Sequence, residues 1–130
     1  MTSPVLRPGD VLTLEAPRVT RTALALYAGA SGDHNPVHID LDACREVGID
    51  DVFAHGMLSM AYLGRLLTDW VPQHRIAEFG VRFSAITPVN TTPACRGAVT
   101  SVEDGRARLE LTVSLPDGTV TLRGHAVITD

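Results

Sequence analysis

The sequence predicts a single α+β domain over residues 1–130, an antiparallel β-sheet wrapped around one long buried helix. Three features lead there: alternating apolar and polar residues through the second half, a strongly apolar helical stretch in the middle, and a size suited to one core. The chain has 130 residues, 45% of them hydrophobic, enough for one globular core and too few for two. No internal repeat, low-complexity tract or linker-like stretch interrupts it.

Taken in order, DVLTLEA near residue 10 reads as a strand. Residues 20–31 read as a helix: Thr20 or Thr22 can cap it, Ala23, Leu24 and Tyr27 form its apolar stripe, and Gly32 can end it. Residues 55–70, HGMLSMAYLGRLLTDW, set Met57, Leu58, Met60, Ala61, Leu63, Leu66, Leu67 and Trp70 around most of a helical circumference, which predicts burial on several sides. FGVRFSAI then alternates Phe79, Val81, Phe83 and Ala85 against Arg82 and Ser84, and ACRGAVTSV is a weaker strand. In RARLELTVSL, Ala107, Leu109, Leu111, Val113 and Leu115 fall on one face; Val120, Leu122, Ala126 and Ile128 do the same in TVTLRGHAVI. Glu103-Asp104-Gly105 and Pro116-Asp117-Gly118 supply turn chemistry on either side of RARLELTVSL. Together these predict a four-strand antiparallel meander, with the segment near residue 10 as a fifth strand.

Charge narrows the function classes. Fifteen acidic residues face eleven basic ones, for a net charge of -4, and every basic residue is arginine. The absence of lysine removes Schiff-base chemistry and the phosphate-loop lysine. An acidic balance without a basic run argues against nucleic acid, whose phosphates demand clustered cations, and favours a small-molecule partner. Cys44 and Cys95 are single and far apart, without the spacing of a zinc or redox pair. MTSPVLRPGD lacks a signal peptide's apolar core, and no apolar run reaches the roughly 18 residues of a membrane span; the expectation is a cytoplasmic protein with no membrane contact.

The chemistry concentrates in SGDHNPVH, residues 31–38. Pro36 pushes Asn35 towards extended geometry and cannot continue a helix, so this reads as a stiff loop just past the first helix, holding Asp33 and His38 in a fixed relation. Aspartate and neutral imidazole both accept protons, and together they can orient and deprotonate one water. The same residues also suit a plain turn, with Asp33 and Asn35 satisfying backbone N–H groups and His38 half-buried. Metal ligation by His34, His38 and His55 has no zinc signature and no helical i, i+4 pair behind it, so no metal is expected. In FAHGML, His55 and Gly56 stand at the start of the central helix, where unpaired N–H groups and the helix dipole attract negative charge. Glycine there lets a ligand approach the backbone, or lets helix and sheet pack without a clash. A proton-moving pair beside an oxyanion donor suits acyl-thioester chemistry.

Residues 27–58, YAGASGDHNPVHIDLDACREVGIDDVFAHGML, resemble the signature segment of the MaoC-like dehydratases, the hot-dog-fold (R)-specific enoyl-CoA hydratases and 3-hydroxyacyl-thioester dehydratases. The D-x-N-P-x-H core, the alanine at Ala43 and the A-H-G-M-L helix start occur in order, and the likeness runs on through VRFSAITPV. The resemblance implies a hot-dog domain, a catalytic dyad of Asp33 and His38, the Gly56 amide as oxyanion donor, and supporting roles for Asn35, His55 and Ser59. It implies reversible syn addition of water to trans-2-enoyl thioesters, with coenzyme A or an acyl carrier as part of the substrate and no separate cofactor. It also implies a dimer joined sheet edge to sheet edge, as a homodimer or as a heterodimer with a related subunit. Met60, Tyr62 and Leu66, beside small Ser59 and Gly64, are candidates to set acyl-chain depth, and Arg75 and Arg82 to meet nucleotide phosphates. Against a hot-dog thioesterase, the central helix carries only Asp69, at its far end. Against a non-catalytic binding subunit, the whole dyad is retained.

Overall fold

The computed structural model describes residues 5–130. The reading of the first ten residues therefore falls partly outside the described residues. In chain order the elements are β1 (Val11–Glu15), α1 (Arg21–Ser31), a 3-10 turn (Pro36–His38), α2 (Leu41–Glu46), α3 (Gly56–Thr68), a second 3-10 turn (Gln73–Arg75), β2 (Ile76–Phe83), β3 (Ala94–Glu103), β4 (Arg106–Ser114) and β5 (Val120–Thr129). No helix among them is long and apolar enough to cross a membrane.

The five strands form one antiparallel sheet in the order β1-β3-β4-β5-β2. The predicted four-strand meander is thus corrected: only β3-β4-β5 run as a meander. β1 occupies the free side of β3, from Val11↔Ala98 to Glu15↔Ala94, so β2 pairs instead with β5. Residues 84–93 carry the chain back across the sheet to β3. The β3–β4 hairpin closes on Asp104 and Gly105, whose φ values of 51° and 73° are those of a tight two-residue turn matched to strand twist. β2 begins and ends three residues earlier than its alternation suggested, and Ser84–Ile86 leave the sheet.

In β4 and β5 alternation put the right residues inside; in FGVRFSAI it did not, since Phe79 and Val81 are half-buried and Phe83 and Ala85 exposed. Leu109, Leu111 and Val113 of β4 and Leu122, Ala126 and Ile128 of β5 are all almost fully buried, against Leu63, Leu66 and Leu67 of α3. Burial of each such leucine or isoleucine stabilises the fold by about 1.5–3 kcal/mol before entropy is counted. The helix is less enclosed than predicted. Its buried face is Ser59, Leu63, Leu66 and Leu67, whereas Met57 is 55% exposed and Trp70, just past its end, 38%. The sheet of one chain covers only one side of α3, and that accounts for the difference. A second cluster, Val19, Leu24, Cys44, Val52, Ala54 and Val89, lies away from the sheet core and supports the segment between α1 and α3. The short α2, unanticipated from sequence, starts where the Asp40 carboxylate accepts the N–H groups of Asp42 and Ala43. Both cysteines are free and buried, and burial pushes the Cys95 thiol up to about 11.

Candidate active site

The site begins where α1 stops. Thr20 caps the helix, its Oγ1 accepting the Ala23 N–H at 3.0 Å, and Gly32 ends it at a φ of 80°, its N–H donating to the Ala28 carbonyl. Side chains then take over from the helix ladder: Ser31 Oγ accepts the Asp33 N–H, Asp33 Oδ1 the Asn35 N–H, and Asn35 Oδ1 the Val37 N–H. Asn35 is extended, with ψ at 125°, as its proline neighbour requires. Pro36 opens a 3-10 turn through His38, so the predicted loop is in part a helical turn. The turn-forming role foreseen for Asp33 and Asn35 is real, and it leaves Asp33 Oδ2 free to face His38.

His38 is buried, and its Nδ1 lies 2.7 Å from the Phe53 carbonyl. A carbonyl only accepts, so Nδ1 carries a proton, and in its neutral form the ring presents a bare Nε2. That nitrogen is 3.9 Å from Asp33 Oδ2, too far for a direct hydrogen bond. A single oxygen held about 2.8 Å from each would bridge the gap. His55 stacks on the His38 ring, centroids 3.9 Å apart and planes 26° from parallel, with the Tyr27 ring edge-on to it at 4.7 Å. Its Nε2 lies 3.1 Å from the Asp33 carbonyl and is therefore the protonated nitrogen. Burial pushes the His55 pKa below the ordinary imidazole value, reinforced by nearby His38 and opposed by the bond to Asp33 and its charge. His55 Nδ1 is buried without a hydrogen-bond partner among the described residues, an omission that typically costs about 1–3 kcal/mol.

Asp33, His38 and His55 bring potential ligand atoms within 4.8 Å of one another, whereas His34 is exposed and outside this group. The stacking disfavours a shared metal, because the in-plane lone pairs of two stacked rings run side by side instead of converging.

Gly56 opens α3 with His55 as the capping residue and no side-chain cap, so first-turn N–H groups stay unpaired by side chains. A Cβ at Gly56 would fall 2.8 and 2.9 Å from two Phe83 ring atoms. Glycine thus serves helix–sheet packing as well as an open backbone. A cavity of about 500 Å³ joins Asp33 to Gly56, with Ala54, Met57, Phe83 and Ile86 among its walls. Asp33 is the one acidic residue lining it. A larger hollow of about 720 Å³ lies elsewhere, between Arg82, Arg108, Arg123 and His125, and is lined by none of Asp33, His38 and His55. The smaller cavity is the one with chemistry in it.

Other sequence-predicted residues lie apart from this cavity. Ser59 is buried within α3, and half-buried Tyr62 packs against the main core. Arg75 is held by its Nε–H to the Thr129 carbonyl at 2.6 Å, and Arg82 borders the larger hollow. For Tyr62, Arg75 and Arg82 as substrate contacts, the geometry of one chain offers no support, because none of them lines the Asp33 cavity. Sequence reasoning missed the Phe53 carbonyl, which sets the His38 tautomer, and the apolar side chains of Phe83 and Ile86 at the cavity. A backbone carbonyl leaves no signal in a sequence, and the exposed alternation of FGVRFSAI disguised where the strand ends.

Residues 4–119 match the family described as the MaoC like domain. The chain belongs to that family. A 3-hydroxyacyl-thioester dehydratase Z of Mycobacterium tuberculosis is 30% identical over 121 residues, covering 83% of this chain and 74% of the relative. Solved MaoC-like folds superpose closely. The (R)-hydratase from A. caviae involved in PHA biosynthesis gives a TM-score of 0.86 at 23% identity, over 95% of this chain and 96% of the other. The ChsH1-ChsH2 complex from Mycobacterium tuberculosis gives 0.84 at 24% identity, over 96% and 98%. These likenesses bear on the hot-dog fold, and the sequence relatives place the chain with dehydratases of the MaoC family.

Proposed function

We propose that the protein catalyses reversible syn hydration of trans-2-enoyl thioesters to (R)-3-hydroxyacyl thioesters. The observation that carries this is the 3.9 Å gap between His38 Nε2 and Asp33 Oδ2, with Asp33 and the glycine that starts α3 lining one cavity. Water held by both acceptors gives up one proton to the dyad as its oxygen bonds C3. The dyad delivers a proton to C2 from the same face, so the elements of one water are added. The Gly56 N–H meets the thioester oxygen, where enolate charge develops. Coenzyme A or an acyl carrier enters as part of the substrate, and no separate cofactor takes part. Asn35 supports the dyad by fixing the loop.

The same site also fits a 3-hydroxyacyl-thioester dehydratase subunit that works with a second hot-dog chain. What favours a partner is the exposure of Met57 (55%), Phe83 (51%) and Ile86 (52%) around the cavity, next to the open edge of β2. A homodimer or a related subunit would cover them. Hydrolysis of the thioester is the weaker reading, since Asp33 is the cavity's one carboxylate and Asp69 lies exposed beyond the far end of α3.

Hydration of crotonyl-CoA in heavy water by the purified protein tests the proposal. The expected product is (R)-3-hydroxybutyryl-CoA with deuterium placed syn at C2; an (S) product would overturn the reading.

A further inference from the structure

We infer that His55 is a positioning residue of this reaction, tying the Asp33 main chain to the His38 ring and so setting the spacing of the two acceptors. The inference rests on the proposed hydration and names how its site is held. His55 is 1% exposed and touches both members of the dyad by different means: its Nε2–H donates to the Asp33 carbonyl at 3.1 Å, and its ring lies 3.9 Å from that of His38. Asp33 and His38 share the loop held by Asn35, whose N–H donates to Asp33 Oδ1 and whose carbonyl accepts the His38 N–H, but beyond that loop their anchors lie apart. The first hangs from the end of α1 through Ser31, and the second from the Phe53 carbonyl. His55 links the two.

The ring also has to stay uncharged. The titratable groups that face it are His38 from the 3-10 turn, Asp33 from the loop and Tyr27 from α1. Protonation would place a second N–H at Nδ1, where no acceptor stands among the described residues, and a positive charge against the ring that must receive a proton. A buried, uncharged imidazole therefore stacks on His38 without setting a positive charge against it, and its bare Nδ1 is sealed from water.

Two substitutions separate the two contacts. His55→Gln keeps an N–H donor for the Asp33 carbonyl and removes the stacked ring; His55→Phe keeps a flat ring and removes the donor. Each should remain folded, with KM for crotonyl-CoA within about threefold and turnover about 10- to 100-fold lower, as expected when reacting groups are misplaced by an ångström or less. Nitrogen NMR of His38 supplies the readout that loss of structure alone would not give. Wild type should carry its proton on Nδ1, His55→Gln should mix the two tautomers, and His55→Phe should keep the wild-type signal while still losing turnover. Near-normal turnover in either folded variant, or an unchanged His38 signal in folded His55→Gln, overturns the inference. A wild-type protein that hydrates no enoyl thioester would refute the proposed reaction, while the NMR comparison would still decide the positioning role.

Discussion

Two apolar clusters divide the molecule, and they differ in how they are made. The sheet cluster draws Leu12, Leu63, Leu66, Leu109, Leu111 and Ile128 from regular strands and the long helix, each placed by its period. The other draws Val19, Leu24, Cys44, Val52, Ala54 and Val89 mostly from short or irregular segments, with Val37 of the Asp33–His38 loop packed against it. A periodic core tolerates loss at one position by sharing it among neighbours. The small cluster has few neighbours to share with, and Val52 is joined directly to Phe53, whose carbonyl orients His38. Stability and chemistry should therefore separate by region.

The widest separation is expected for Leu111→Ala, at 1% exposure in the sheet cluster. Denaturant unfolding should show a loss of about 2–5 kcal/mol, with turnover per folded molecule unchanged. Val52→Ala, at 3% exposure, should cost less stability, about 1.5–3 kcal/mol, yet lower turnover about tenfold by loosening the Phe53 carbonyl. Equal effects on turnover from the two variants would break the comparison.

Legibility followed the same division. Leu109, Leu111, Val113, Leu122, Ala126 and Ile128 were readable because a half-buried strand must alternate, whatever its partner. The partner itself was not readable: alternation says which face of β2 is apolar but not which neighbour's edge is free, so β2 was expected beside β3 and pairs with β5. At the site, Thr20 and Gly32 marked both ends of α1 because their conformational preferences are local, and this put Asp33 on its loop. Asp33 and Gly56 line one cavity, and His38, outside that lining, faces Asp33 across 3.9 Å; the catalytic roles that the motif resemblance implies for the three are for kinetics to decide. The ring stack, the Phe53 carbonyl and the His55 Nδ1 left without a partner among the described residues depend on tertiary contacts, those named here between residues 15 to 22 positions apart, and no pattern in the chain announces them.

Gly56→Ala sharpens the contrast at one atom. The added methyl would meet Phe83 at 2.8 Å, but that ring is 51% exposed and able to swing outward, so the folding cost should be only about 1 kcal/mol. Turnover should fall much further, because the displaced ring and the methyl both crowd the cavity where the thioester oxygen must reach the amide. A melting-temperature series beside a kinetic one would show it.

A smaller effect is expected with pH. His55 has a folded-state pKa below its unfolded value of about 6.5, so its contribution to stability is whole above that pH. It is lost as the pH falls from there through the folded-state value, because the unfolded chain then binds the proton first. Thermal melts from pH 7 downward should therefore decline more steeply for wild type than for His55→Gln; parallel declines would mean that His55 is not held uncharged.

Asp33→Asn separates proton transfer from loop-making at one residue. Asparagine retains an oxygen to accept the Asn35 N–H and keeps the loop, but it cannot take a proton from water near neutral pH. Turnover of crotonyl-CoA, KM and melting temperature should be measured side by side for wild type and variant. Turnover is expected to be lower by about 10²- to 10⁴-fold, with little change in KM or melting temperature. A folded Asp33→Asn protein with near-normal turnover would contradict that expectation, and would leave Asp33 as a turn residue alone.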